Sequence, residues 1–351
     1  MTRTLSTAPV ADPAAAPPGP VFAPRNKVSI SAVAAHAGVS IATVSRVVNG
    51  VVNKASADTI ARVQAAIATL GYRPTGAGRA LRSGQSRLVA VLAANMANPT
   101  MPAIVAAAEV ALRGAGYVMV LCDTHERPEL QDEYLLEMRS HYARGQVLLG
   151  AVDSPVLRSF VRGGEPLVFV NRRSPVQGDS QPYVGIDNRG AGAEVAQWMA
   201  DQGWNDVALI HGNLASSATA ERVAGFRAAL VAQGIRLPAG RVQPAAGLEH
   251  LQIGYQGMGR LLKRKKAPQA VFCTSDLIAY GAHRCAREAG LQVGRDLVLV
   301  GFDDSPMNAW IAPWLHAVRV PYAAYGAAIV RALGEGGARP IILPHELVIR
   351  A

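Results

Sequence analysis

The chain has 351 residues, of which 50% are hydrophobic and 17% charged, so it can bury a large core and is too apolar to be disordered throughout. It contains no run of about 18 apolar residues that would span a membrane. Its start lacks the basic-then-apolar pattern of a secretory leader, so a cytoplasmic protein is expected. The net charge of +10 is unevenly placed: Lys27, Arg46, Lys54, Arg62, Arg73, Arg79, Arg82 and Arg87 face Asp58 alone between residues 27 and 87, while the rest of the chain is close to neutral. A basic N-terminal unit on a near-neutral body is the electrostatic footprint of a nucleic-acid reader. Cys122, Cys273 and Cys285 cannot all pair within one chain and read as free thiols of a reducing compartment.

Residues 1–26 are rich in Ala and Pro and read as a disordered tail. Three short helices are expected over residues 27–73. Ile30, Val33, Ala34 and Ala37 recur at helical spacing and form one apolar face. Gly38-Val39-Ser40 breaks that helix, with Ser40 placed to cap the next, in which Val44, Val47 and Val48 turn inward. The third helix starts at the cap Ser56 with Asp58 in its first turn. It buries Ile60, Val63, Ile67 and Leu70, and ends at Gly71. Residues 74–86, with Gly76, Gly78 and Gly84, form a hinge.

Beyond residue 87 apolar runs alternate with helical stretches. Strands are expected at 88–92, 118–121, 146–149, 167–170, 207–210, 270–273 and 297–302, and Gly116, Gly203, Gly234 and Gly290 close intervening helices. This alternation predicts βαβ units and parallel sheets covered on both faces. A region this long predicts two lobes, with a ligand cleft at the strand carboxyl ends.

A helix, a tight turn with Gly and a second helix form a helix-turn-helix, whose second helix enters the major groove. With the valines buried, Ile41, Ala42, Ser45, Arg46 and Asn49 face outward. Arg46 can reach a guanine edge with two hydrogen bonds, and Thr43, Ser45 and Asn49 suit phosphate oxygens.

The segment VSISAVAAHAGVSIATVSRVVNG (residues 28–50) closely resembles the DNA-binding headpiece of the lac-repressor (LacI/GalR) family, and LGYRPTGAGRALRSG (70–84) resembles the end of its third helix and its hinge. LCDT (121–124), VGIDN (184–188), ERVAGF (221–226), AVFCTSD (270–276), VGFDD (300–304) and LPHELVIR (343–350) follow in family order, so the likeness spans nearly the whole chain after the tail. The resemblance implies Ile41, Ala42 and Arg46 at base-reading positions and Ser29, Ser40, Thr43, Ser45, Asn49 and Tyr72 at phosphate-contacting or positioning sites. It also implies a hinge helix around residues 75–82, carrying Arg79 and, at the position of an apolar minor-groove wedge, Leu81. Gly76 and Gly78 each cost such a helix roughly 0.5–1 kcal/mol against Ala, so its order would depend on DNA.

The same resemblance implies a C-terminal body like a periplasmic sugar-binding protein. Its first lobe would hold about 87–187 and 319–337, and its second about 188–318 and 338–351, with crossovers near Asp187, Val318 and Ala338. It places Asn98, Thr100, Met101, Asn171, Arg172, Arg222, Ser275, Asp303 and Trp310 at or near an effector cleft. Asp303 would accept hydrogen bonds from hydroxyls, and Arg172 and Arg222 would donate to hydroxyl or carboxylate oxygens. Thr100 and Met101 stand where many relatives carry two aromatic residues, Leu248 lies near another such position, and Ser275 replaces a common Asn. Sugar stacking would fall to Trp310 or Trp314, which could equally be core or interface residues.

The fold expected is therefore an all-α headpiece plus a two-lobed α/β body. The function expected is a homodimeric repressor, without metal or other cofactor, that binds near-palindromic operator DNA under control of a sugar, sugar acid or related metabolite. A tetramer is not expected, because no heptad-bearing tail follows Arg350. The alternatives are a small-molecule binding protein without DNA binding, which the basic headpiece opposes, and an enzyme, which would need a nucleophile–base pair or a phosphate loop that the sequence does not present.

Overall fold

The computed structural model describes residues 28–51, 55–73, 86–244, 249–264, 266–335 and 339–350. The Ala/Pro-rich tail and the hinge, including Thr75, Gly76, Gly78, Arg79 and Leu81, lie outside them, as does Leu248. The chain divides into two compact units, Met1–Arg79 and Ala80–Ala351.

In the first unit α1 (Ile30–Ala37), α2 (Ile41–Val48) and α3 (Ala57–Leu70) are each started by a serine. The hydroxyls of Ser29, Ser40 and Ser56 accept from the backbone N–H of Ala32, Thr43 and Thr59, satisfying donors that a helix start leaves orphaned. Gly38, at φ 63°, ends α1 in a left-handed conformation that costs glycine no steric penalty, and the axis bends by 105° into α2. Val33, Ala34, Ala37, Val44, Val47, Val63 and Ala66 are buried together, with Tyr72 packed against them.

In the second unit two six-stranded sheets form two lobes. The first contains β1 (Leu88–Ala93), β2 (Val118–Asp123), β3 (Gly145–Leu149), β4 (Leu167–Val170), β5 (Tyr183–Ile186) and β11 (Ile341–Leu343), all parallel, with spatial order β11-β5-β4-β3-β1-β2. Its helices are α4 (Thr100–Gly114), α5 (Pro128–Ser140), α6 (Pro155–Gly163) and α12 (Tyr322–Glu335). The second contains β6 (Val207–His211), β7 (Val242–Pro244), β8 (Ala270–Cys273), β9 (Val298–Asp303), β10 (His316–Arg319) and β12 (Glu346–Val348), in the order β12-β10-β9-β8-β6-β7, with only β12 antiparallel. Its helices are α7 (Asn188–Asp201), α8 (Ser217–Ala232), α9 (His250–Leu262), α10 (Asp276–Glu288) and the single turn α11 (Asn308–Ile311). Strands buried on both faces explain the nearly continuous apolar runs of the sequence.

The chain crosses between lobes at Asp187, again between Arg319 and Tyr322, and last between Leu343 and Glu346. The last crossing corrects the one expected near Ala338: Ile341–Leu343 first pairs with β5 in the first lobe, and only β12 reaches the second. One cluster of buried apolar side chains runs from Val91 and Ile104 in the first lobe to Phe226, Phe272 and Phe302 in the second. Among the described residues Cys122 and Cys273 are buried free thiols, and Cys285 is partly exposed. No single described helix is long and apolar enough to cross a membrane.

Candidate functional site

The short apolar side chains of α1 and α2 decide what the headpiece presents. Burial of Val44 and Val47 turns the opposite side of α2 to solvent, where Ile41, Ala42, Arg46 and Asn49 are exposed and Thr43 and Ser45 are partly so. Ile41 is 51% exposed. The Arg46 carbonyl accepts from Asn49 and Val51, but its guanidinium makes no hydrogen bond or ion pair with any described residue. Asn49 donates to the Ser45 carbonyl at 2.5 Å and so closes the end of α2. Ser29 and Ser40 lie exposed at helix starts and are engaged as caps. Tyr72 is partly buried against the headpiece core, which makes it a positioning residue as well as a surface one.

In the body a cavity of about 510 Å³ opens between the lobes. From the first lobe it is lined by Asn95, Asn98, Met101, His125, Glu126 and Arg172, which follow the carboxyl ends of β1, β2 and β4 or begin α4. From the second it is lined by Asn213 after β6, by Leu277 on α10, and by Glu249, His250, Leu251 and Gln252 where α9 starts. Parallel sheets place ligand-binding groups at these strand ends. Of the expected effector residues, Asn98, Met101 and Arg172 line this cavity.

Thr100, Arg222, Ser275 and Asp303 do not line the cavity; they are buried polar groups. Arg222 sits on α8 with its guanidinium 3.4 Å from the centre of the Phe302 ring. It donates to Asn188 at 2.9 Å and to the Thr274 carbonyl at 2.8 Å, and lies 3.8 Å from Asp303. Asp303 ends β9 with φ 109°, a conformation a non-glycine residue adopts only when its surroundings hold it there. Burial pushes its carboxyl up to about 6, opposed by Arg222 and by a hydrogen bond from the Thr100 hydroxyl. The Tyr322 hydroxyl of the first lobe donates to the Asp303 carbonyl at 2.8 Å and so joins the lobes directly. Ser275 caps α10 through Ile278 and shares a 3.0 Å hydrogen bond with His250. Asn171, at φ 65°, engages the sheet through its backbone, accepting from Tyr183 and donating to Val184.

Trp310 is not brought to the cleft. It is 83% exposed on α11. The reason lies one turn away: the fully buried Asn308 donates to Asp276 and Asp304, which anchors that side of the turn and leaves Met307, Trp310 and Ile311 outward.

His125, Glu126, Glu249 and His250 were not anticipated from the sequence. His125 and Glu126 follow β2 in left-handed backbone, at φ 50° and 57°. The rule that ligand groups follow parallel strands could have directed attention beyond Thr124 of LCDT.

A model of bacterial regulatory proteins of the lacI family matches residues 29–75. A model of periplasmic binding proteins and the sugar binding domain of the LacI family matches residues 85–305. The chain belongs to the LacI family. It is 30% identical over 93% of its length, and 96% of the relative's, to the HTH-type transcriptional regulator PtxS of Pseudomonas putida KT2440. A lac repressor dimer bound to operator and an anti-inducer superposes with a TM-score of 0.77 at 25% identity, covering 93% of this chain and 98% of that one. A transcriptional regulator CelR–cellobiose complex superposes at 0.68 with 30% identity, covering 92% and 99%. The LacI-family chain described here is accordingly a DNA-binding transcriptional regulator with an effector-binding domain, and its relatives are regulators, not enzymes.

Proposed function

We propose that this protein is a homodimeric repressor of near-palindromic operators whose DNA affinity is set by a small polar metabolite bound between the lobes. The observation that carries the reading is the interlobe cavity at the strand carboxyl ends, in a chain that also bears a bent helix pair with Arg46 exposed on the second helix. In this reading Ile41, Ala42 and Arg46 meet base edges. Ser29, Ser40, Thr43, Ser45, Asn49 and Tyr72 meet or position phosphate contacts. Arg79 and Leu81 act at the hinge, Leu81 as a minor-groove wedge.

Asn98, Met101 and Arg172 hold the effector directly. Behind them Thr100, Asp303, Arg222 and Ser275 form the polar layer whose contacts change as the lobes move, and Asn171 shapes the loop that carries Arg172. An effector favours one lobe arrangement only by its difference in affinity for the two. Dimerisation is supported by the exposed apolar groups Leu251, Tyr255, Met307, Trp310 and Ile311 on the second lobe, at 49%, 39%, 53%, 83% and 60% exposure. The deciding experiment selects bound sequences from random DNA with and without candidate metabolites. A symmetric consensus whose enrichment changes with a metabolite is expected; no enrichment over the random pool in any condition would overturn the reading.

A further inference from the structure

We propose that the cleft takes a polar effector without negative charge, favours one that bears an ammonium group, and rejects the corresponding carboxylic acid. The inference rests on the reading above that the interlobe cavity is the effector site.

The charged groups on its wall are Glu126, Glu249 and Arg172, with His125 and His250. Arg172 is already committed. One of its amino groups lies 2.5 Å from Glu126 and another faces the Gly150 carbonyl at 3.5 Å, and the side chain is only 16% exposed. Its charge is compensated by Glu126, so a ligand carboxylate that approaches it also meets the Glu126 carboxylate. Arg222 does not line the cavity; it is buried, donates to Asn188 and Thr274, and lies against the Phe302 ring. His250 is held neutral: burial pushes its pKa below the usual histidine range, and Arg172 and Arg222 push the same way against Glu126 and Glu249. His125 leans toward Asp123, 3.6 Å away.

Glu249 accepts from the Ile253 N–H with its carbonyl, but its carboxylate makes no hydrogen bond or ion pair with any described residue. It precedes α9 and opens onto the cavity. Residues 245–248 before it are Ala-Ala-Gly-Leu and bring no charge. The wall therefore carries one carboxylate without a cation. A ligand ammonium can supply that cation through a charge-assisted hydrogen bond, a hydroxyl can donate to it, and a ligand carboxylate meets a like charge. Among the described residues no Trp, Tyr or Phe lines the cavity, and its apolar wall is formed by Ala97, Met101, Leu251, Ile253 and Leu277.

The test is calorimetry and thermal shift on the full chain against matched trios of one sugar skeleton: the neutral sugar, its uronic or aldonic acid, and its amino sugar. The neutral and amino members are expected to bind, and the acid of the same trio to bind about tenfold more weakly or worse. Glu249→Gln should weaken the amino member by about tenfold and the neutral member by clearly less, and Glu249→Lys should move the preference toward the acid. An acid that binds wild type as tightly as its neutral partner overturns the charge inference. Binding that is preserved in full by Asn98→Ala and by both Glu249 variants, or no binding by any trio, instead overturns the assignment of the cavity as the effector site.

Discussion

The Arg46 guanidinium has no partner among the described residues, and the residue is exposed on α2. A base-reading arginine makes a bidentate contact with guanine, so Arg46→Ala is expected to cost about 1–3 kcal/mol on the specific site and to relax preference at one base pair per half-site. Anisotropy titrations on the operator and its single-base variants check this; an equal loss on every sequence would reassign Arg46 to phosphate. His250 gives a second residue-scale expectation. Its folded pKa lies below the unfolded value, so between the two the unfolded chain binds more protons and stability falls as pH is lowered. Asp303, raised to about 6 by burial, acts in the opposite sense between about 3.8 and 6. His250→Gln should therefore lessen the loss of stability between pH 7.5 and 5.5, by at most about 1.4 kcal/mol per pH unit, as read from urea unfolding at the two pH values. An unchanged pH dependence would show that His250 titrates alike in both states.

At the scale of elements, helix pairs are fixed by glycines where backbones touch. A Cβ on Gly281 of α10 would overlap the Leu251 carbonyl of α9, and one on Gly254 of α9 would overlap the Ile278 carbonyl of α10. Gly281→Ala must part the two helices at the edge of the cleft, and a loss of about 1–3 kcal/mol is expected from the overpacking. Chemical denaturation measures it, and a neutral effect would mean that the pair can slide apart without cost. Most strands legible in the sequence are buried on both faces, such as Ala270–Cys273, where every residue is apolar, and the partly exposed β2 was legible because Val118–Leu121 is an unbroken apolar run as well. The short strands β7, β10 and β12 were not, because Pro244, His316, Arg319 and Glu346 interrupt any period. The headpiece helices could be read from their serine caps and left-handed glycines because both are local signals. The cleft was only half legible: Asn98, Met101 and Arg172 stand where expected, whereas His125, Glu126, Glu249 and His250 come together only through tertiary folding. Arg222 and Asp303 read as ligand groups but are spent on each other and on their buried neighbours.

At the scale of the molecule, the proposed dimer would cover the apolar face of the second lobe. Tyr255→Asp combined with Ile311→Asp should convert dimer to monomer in sedimentation, and should weaken operator binding sharply because two half-sites are no longer read together. A variant that remains dimeric would place the interface elsewhere. The central claim is coupling between the cleft and the operator, and coupling is reciprocal for binding free energies. The most direct measurement is therefore the operator affinity of the full chain, titrated across concentrations of a cleft-binding effector, together with the effector affinity at saturating operator. Both are predicted to change by the same factor, about 5- to 150-fold. An effector that binds the cleft while operator affinity stays flat would contradict the account.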